Sequence, residues 1–306
     1  MYPRKSGVES TIEHNERSPL NAGLPINETD IHLIDIGFKD GPLVILLHGF
    51  PDFWWGWHHQ IAPLVEQGFR VIVPDGRGYN KSGKPQGLAN YTLDKLALDV
   101  VCIADKCGRS TFRLIGHDWG GVIALWTATC FPQRVEQVVV INAPHPDVMT
   151  QVIRRDPVQL LRSLYVLFFQ LPRLPELLLK SGNYAPLWRA MTGSSNVGAF
   201  TPDEKAIYRE AWAQPQALTS MLNYYRALRF KPLMAHQKTS RKVEMPTLFL
   251  WGENDKFLGR EVAKASLEQC DRGRIEFFQD ATHWLPHEMP EQVNTAIRNF
   301  FREQIA

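Results

Sequence analysis

An aspartate stands at a position where a nucleophilic serine is common. Residues 114–121 read LIGHDWGG, and the small apolar residues of 122–125 follow. This is the strand–turn–helix setting of a nucleophile elbow, usually G-x-S-x-G, but its middle residue here is Asp118. A carboxylate is ionised at neutral pH and needs no base to become nucleophilic. Asp118 is therefore suited to attack saturated carbon and form an alkyl–enzyme ester; the alternative is a turn aspartate that binds local N–H groups.

A histidine and a second aspartate follow later in the chain. His283 lies in ATHW, just after a predicted strand at 274–278, and Asp255 lies in GEND, just after one at 247–251. The carboxyl ends of parallel strands meet at one edge of a sheet, where such folds place their sites. We therefore predict that Asp255 orients His283, and that His283 activates the water that hydrolyses the ester.

Two acids compete with Asp255 for this role, namely Glu253 and Asp280. The other usual position of the acid, after a predicted strand at 138–142, holds Asn142 and lacks a carboxylate. Four isolated histidines are expected to be surface or structural residues: His14, His32, His236 and His287. His58 and His59 have no carboxylate or cysteine at ligand spacing, so no metal site is predicted.

The motif HGFP at 48–51 follows the predicted strand Leu43–Leu47. A loop here can bring the backbone N–H of Phe50 beside that of Trp119, the residue after the nucleophile. Together these donors would form an oxyanion hole. A plain strand-exit turn is the alternative for this segment.

Short apolar runs alternate with helical patterns on either side of these motifs. This alternation predicts an α/β fold with a mostly parallel, doubly wound sheet. Predicted strands are 31–37, Leu43–Leu47, Arg70–Pro74, Phe112–Ile115, Val138–Asn142, Thr247–Trp251 and Arg274–Phe278, and predicted helices are 91–107, 120–130, 259–269 and 290–304.

The alternation stops in a proline-interrupted helical stretch. We predict that residues 145–240 form an inserted lid, here called the cap, and that 1–144 and 241–306 form the core. Residues 1–30 are polar with three prolines and are expected to be an irregular leader.

The composition excludes several classes of protein. The 306 residues are 44% hydrophobic and 22% charged with a net charge of +2, which favours neither nucleic acid nor a membrane surface as partner. No apolar run is long enough for a membrane span, and no signal peptide is apparent. The four cysteines are scattered, so a reduced, cytoplasmic protein is expected.

Two tyrosines in the predicted cap bear on what the nucleophile displaces. Opening an epoxide generates an alkoxide that needs a proton, whereas a leaving halide needs only N–H donors. Tyr165 and Tyr225 carry phenols that are protonated at neutral pH and can donate to an epoxide oxygen. Each could instead be an ordinary packed residue.

Taken together, these motifs resemble those of the soluble-type epoxide hydrolases of the α/β-hydrolase fold, over nearly the whole chain. The resemblance implies that Tyr165 and Tyr225 activate an epoxide, that water is the second substrate and that no cofactor is needed. The matching segments are HGFPDFWWGW at 48–57, PDGRGYNKSGKP at 74–85, GHDWGG at 116–121, NAPHP at 142–146, YVLFFQLP at 165–172, LNYYR at 222–226, WGENDKF at 251–257 and ATHW at 281–284.

Two other functions remain open. A haloalkane dehalogenase also has a tryptophan after its nucleophile, but commonly carries asparagine where this chain has Phe50. A catalytically silent, ligand-binding member of the fold would have lost part of the triad. We predict an apolar substrate pocket containing Phe168, Phe169 and Trp284, in a monomer or homodimer.

Overall fold

The computed structural model describes residues 22–230 and 242–303. Within them a single sheet has eight strands in the order β1-β2-β4-β3-β5-β6-β7-β8. Strand β2 pairs antiparallel with β1 and β4, and the other pairs are parallel. The strands are β1 (Ala22–Ile26), β2 (Thr29–Gly37), β3 (Leu43–Leu47), β4 (Arg70–Pro74), β5 (Phe112–His117), β6 (Val135–Ile141), β7 (Thr247–Gly252) and β8 (Gly273–Phe278).

Helices cover both faces of the sheet. Strand β3 is buried along its whole length because its side chains alternate between two hydrophobic clusters, one on each face. In chain order the core helices are α1 (His58–Glu66), α2 (Leu93–Lys106) and α3 (Trp119–Cys130), then, after the cap, α10 (Arg260–Leu267), α11 (Leu285–Glu288) and α12 (Pro290–Arg302).

The cap enters the fold between β6 and β7. Its described part contains α4 (Met149–Arg155), α5 (Pro157–Arg162), α6 (Leu164–Phe169), α7 (Leu174–Ser194), α8 (Glu204–Trp212) and α9 (Ala217–Arg226), with non-helical backbone inside α7 at Ser181–Tyr184. Residues 231–241 lie outside the described ranges, so the predicted boundary at 240/241 stays a prediction. No helix in 22–230 or 242–303 is long and apolar enough to cross a membrane.

The predicted sheet is confirmed, with one error at its edge. All seven predicted strands are present, and the bounds of β3 and β4 agree with the prediction. The prediction of an irregular leader over 1–30 is wrong for Ala22–Ile26, which pairs with β2 as an edge strand. An edge strand tolerates Pro25 because one side of its backbone has no ladder partner. Helix α1 is also absent from the prediction, and it contains Pro63.

Candidate active site

Asp118 lies at a sharp turn between β5 and α3. Its backbone has φ +52° and ψ −123°, a region that non-glycine residues rarely occupy. Glycine is required on both sides of this turn. A Cβ at Gly116 would overlap the carbonyl oxygen of Gly120, and a Cβ at Gly120 would overlap that of Leu47. The close approach of α3 to β5 and β3 therefore holds the carboxylate above the sheet edge.

The structure brings the predicted histidine and acid next to Asp118. His283 Nε2 lies 3.6 Å from Asp118 Oδ2, and His283 Nδ1 lies 2.8 Å from Asp255 Oδ2. The side chains of His283 and Asp255 are almost fully buried. The other oxygen of Asp255 accepts hydrogen bonds from the backbone N–H groups of Phe257 (2.7 Å) and Leu258 (3.0 Å). The acid is thus fixed by its own loop and is aimed at the imidazole.

The two rival acids lie elsewhere. Glu253 forms an ion pair with Arg260, and Asp280 is exposed. The carboxylates within ion-pair distance of His283 are therefore Asp118 and Asp255.

Asn142 contacts the acid next to His283. Its side-chain amide donates to Asp255 Oδ2 at 2.8 Å, and its carbonyl oxygen accepts from the backbone N–H of Gly252 at 2.9 Å. Asn142 follows β6, and Gly252 ends the neighbouring strand β7. Asn142, which occupies the other usual position of the acid, therefore positions Asp255 after the next strand. Only one sign of this role is present in the sequence, namely that Asn142 ends a predicted strand.

His117 is a second residue of the site for which the sequence predicted no role. One ring nitrogen, Nε2, is 2.8 Å from the backbone carbonyl oxygen of His283, so it donates to that oxygen in the matching tautomer. Burial, together with the nearby charge of His283, lowers the pKa of His117 to about 4, so this ring is neutral at pH 7. His117 therefore positions the loop that carries His283 without adding charge.

The charges of the site stabilise each other. Burial alone would raise the pKa of Asp118, but the hydrogen bond and charge of His283 outweigh it and hold that pKa below its usual value. Burial alone would lower the pKa of His283, but Asp255 and Asp118 together raise it to about 10. At neutral pH the site thus contains an imidazolium between two carboxylates.

One backbone donor reaches Asp118 from the HGFP loop, and the predicted second donor lies at the start of helix α3. The N–H of Phe50 donates to Asp118 Oδ1 at 2.7 Å. Trp119 is the first residue of α3, where an N–H has no partner within its own helix. A Cβ at Gly49 would overlap the side chain of Asp118, so glycine lets the loop approach this closely. The Phe50–Pro51 peptide bond is cis.

The two cap tyrosines face the same space. The rings of Tyr165 on α6 and Tyr225 on α9 lie 5.9 Å apart, and both side chains line a cavity with Asp118. Burial, and then the charge of nearby groups including Asp118, raises the pKa of both phenols. They therefore remain protonated donors at neutral pH.

The cavity has a volume of about 140 Å³. Its wall is mostly apolar and includes Phe169 and Trp284, two of the three predicted pocket residues. The third, Phe168, is not part of this wall; it is half-buried, and its ring lies 5.9 Å from that of Phe169. The lining residues are Phe50, Pro51, Asp118, Tyr165, Phe169, Leu187, Ala190, Met191, Tyr225, Phe257, His283 and Trp284. A larger depression of about 790 Å³ lies elsewhere on the cap and shares no residue with this site.

Comparison with known proteins identifies the fold family of this chain. A family model described as alpha/beta hydrolase fold matches residues 42–290. The AB hydrolase superfamily protein YfhM of Bacillus subtilis is 43% identical over 278 residues, which cover 91% of this chain and 96% of that protein. Human epoxide hydrolase 4 is 38% identical over 280 residues, covering 89% and 76%.

A solved structure with the same fold is also similar to this chain. The crystal structure of the Bacillus megaterium epoxide hydrolase in complex with an inhibitor matches with a TM-score of 0.82 and 29% identity, covering 92% of this chain and 99% of that one. The resemblance stated from the motifs is therefore confirmed at the level of the family. The chain belongs to the alpha/beta hydrolase fold family, and its relatives include proteins named as epoxide hydrolases.

Proposed function

We propose that this protein is an epoxide hydrolase that adds water to an epoxide and releases a vicinal diol. One observation carries the proposal. The carboxylate of Asp118 and the phenols of Tyr165 and Tyr225 line one small, largely apolar cavity. A nucleophile for carbon and two proton donors for oxygen are the groups that opening an epoxide ring needs.

In the first step Asp118 attacks an epoxide carbon and forms an ester. The carbon–oxygen bond of the ring breaks, and the oxygen takes a proton from Tyr165 or Tyr225. The tyrosinate that results then recovers a proton from the imidazolium of His283, which becomes neutral. Neutralisation of Asp118 by esterification favours this transfer, because one of the two carboxylates that held the proton on His283 has lost its charge.

In the second step neutral His283, oriented by Asp255, takes a proton from water. The hydroxide attacks the ester carbonyl, and the N–H groups of Phe50 and Trp119 stabilise the oxyanion. Collapse of this intermediate releases the diol, whose second hydroxyl receives the proton from His283. The proton left on the carboxyl of Asp118 returns to His283, so the site regains its starting charges.

Product analysis separates this function from its rivals. Purified protein is incubated with a styrene-oxide-type epoxide and, separately, with a haloalkane, and the diol and the halide are measured. Release of diol alone is expected, and the Asp118→Asn variant is the inactive control. Halide without diol would identify a dehalogenase, and neither product from a panel of both substrates would favour a ligand-binding protein.

The site also limits the substrate and the setting. A cavity of about 140 Å³ with aromatic walls suits a small apolar or aryl epoxide. The four cysteines are all free thiols, which supports the expectation of a reducing, cytoplasmic environment.

A further inference from the structure

Two histidines and a glutamate converge between the core and the cap. His58 lies at the start of α1, His287 lies on α11, and Glu204 begins the cap helix α8. All three residues are buried, and each places a ligating atom within 4.8 Å of the others. His58 Nε2 lies 4.0 Å from a carboxylate oxygen of Glu204. Across 22–230 and 242–303, no other group of three histidine, cysteine or acidic side chains meets this criterion.

The hydrogen bonds of the two histidines leave one lone pair on each ring. His58 Nδ1 lies 2.7 Å from the carbonyl oxygen of Trp55, an acceptor, so the proton is on Nδ1 and the lone pair on Nε2. His287 Nε2 lies 3.4 Å from Asp52 Oδ2 and donates to it. His287 Nδ1 is buried and has no hydrogen-bond partner among the described residues. Metal-binding histidines are oriented in this way, by donating their second N–H to a carbonyl or carboxylate.

Glu204 is held in place independently of the histidines. One carboxylate oxygen accepts from the N–H (2.8 Å) and the hydroxyl (2.9 Å) of Thr201. The other, Oε1, faces His58 and accepts from the indole N–H of Trp55 at 3.1 Å. A carboxylate ligand supported by such bonds loses little side-chain freedom when an ion binds.

We propose that His58, Glu204 and His287 bind a divalent transition-metal ion of the Zn²⁺ type. Two imidazoles and one carboxylate, with water as a fourth ligand, form a donor set that Zn²⁺ takes readily. Bonds of about 2.0–2.2 Å require the side chains to close by roughly 1 Å from their present spacing. The ion would join the cap helix α8 to core helices α1 and α11, and none of its three ligands lines the cavity that contains Asp118.

Metal titration of the untagged, chelator-treated protein tests the proposal. Zn²⁺ binding is measured by calorimetry. Co²⁺ binding is measured by the visible absorption bands of the tetrahedral or five-coordinate ion. The test variant is Glu204→Gln, and Glu210→Gln is its matched control because Glu210 is exposed on the same helix. The wild type and Glu210→Gln should bind one equivalent, and Glu204→Gln should bind at least about tenfold more weakly.

Two results would overturn the proposal. One is the absence of stoichiometric binding by the wild type. The other is equal affinity in Glu204→Gln, which would place the ion elsewhere, for example at His283. If circular dichroism shows that Glu204→Gln is not folded, His287→Gln takes its place with the same expectations. As a second readout, Zn²⁺ should raise the Tm of the wild type and the control but not that of the test variant.

Discussion

The charge balance around His283 can be tested by the Asp118→Asn variant. Asparagine has nearly the shape of aspartate but no charge, so its side chain imitates the neutral ester that we propose as intermediate. If the mechanism is right, the variant should not turn over. In addition, its His283 should have a much lower pKa than the value of about 10 in the wild type.

The size of this change follows from one distance. His283 Nε2 and Asp118 Oδ2 are 3.6 Å apart. Two unit charges at this distance interact by about 5 kcal/mol with an effective dielectric constant of roughly 20, which corresponds to ~3 pH units. The pKa of His283 should therefore fall from about 10 to near 7. A base is most effective when its pKa lies near the working pH. Formation of the ester would therefore turn His283 into an effective base for hydrolysis of that ester.

Titration of the imidazole nitrogens by NMR measures this pKa directly. Glu253→Gln is the matched control, because Glu253 is paired with Arg260 and its loss should leave His283 unchanged. If His283 keeps the same pKa in Asp118→Asn as in the wild type, the nucleophile does not control the charge of the base. The proposed order of proton transfers would then be wrong.

Two further predictions concern the phenols and the elbow. Replacing both Tyr165 and Tyr225 by phenylalanine should reduce diol formation by ~10⁴-fold, and replacing either one alone should reduce it by ~10²-fold. The control is Tyr224→Phe, which should form diol at close to the wild-type rate, because the hydroxyl of Tyr224 donates to a backbone carbonyl at 2.8 Å. Retained turnover in the double variant would reveal another proton donor. Gly120→Ala should lower the free energy of unfolding by ~3 kcal/mol or more in denaturant titrations, because the added Cβ overlaps a carbonyl oxygen. Gly193→Ala, with open space around its Cβ, should be neutral, and equal stability of the two variants would contradict the packing argument.

The sequence predicts those parts of the molecule that depend on local pattern. The bounds of β3 and β4 follow from continuous apolar runs, because central strands are covered on both faces. The turn at Asp118 is likewise predictable, because the glycines around it indicate a sharp turn. The edge strand Ala22–Ile26 is not predictable from its own residues, because it is short, contains a proline and depends on pairing with β2.

Contacts between distant segments are the part that local pattern does not predict. Asn142 positions Asp255 only because two neighbouring strands end side by side. Phe168 and Phe169 are adjacent in a short helix, and only the packing of the cap decides which of them reaches the cavity. The carboxylate next to His58 comes from Glu204 in the cap, so spacing along the chain gives no sign of it.

In the proposed mechanism Asp118 supplies the oxygen that first joins the substrate. A single turnover in ¹⁸O-water, with enzyme in excess over a styrene-oxide-type epoxide, tests this most directly. Mass spectrometry of the diol and of the peptide that contains Asp118 then locates the label. We predict an unlabelled diol and a labelled Asp118 carboxylate, because water attacks the ester carbonyl. A labelled diol with an unlabelled Asp118 would mean that water opens the ring directly and that no ester forms on Asp118.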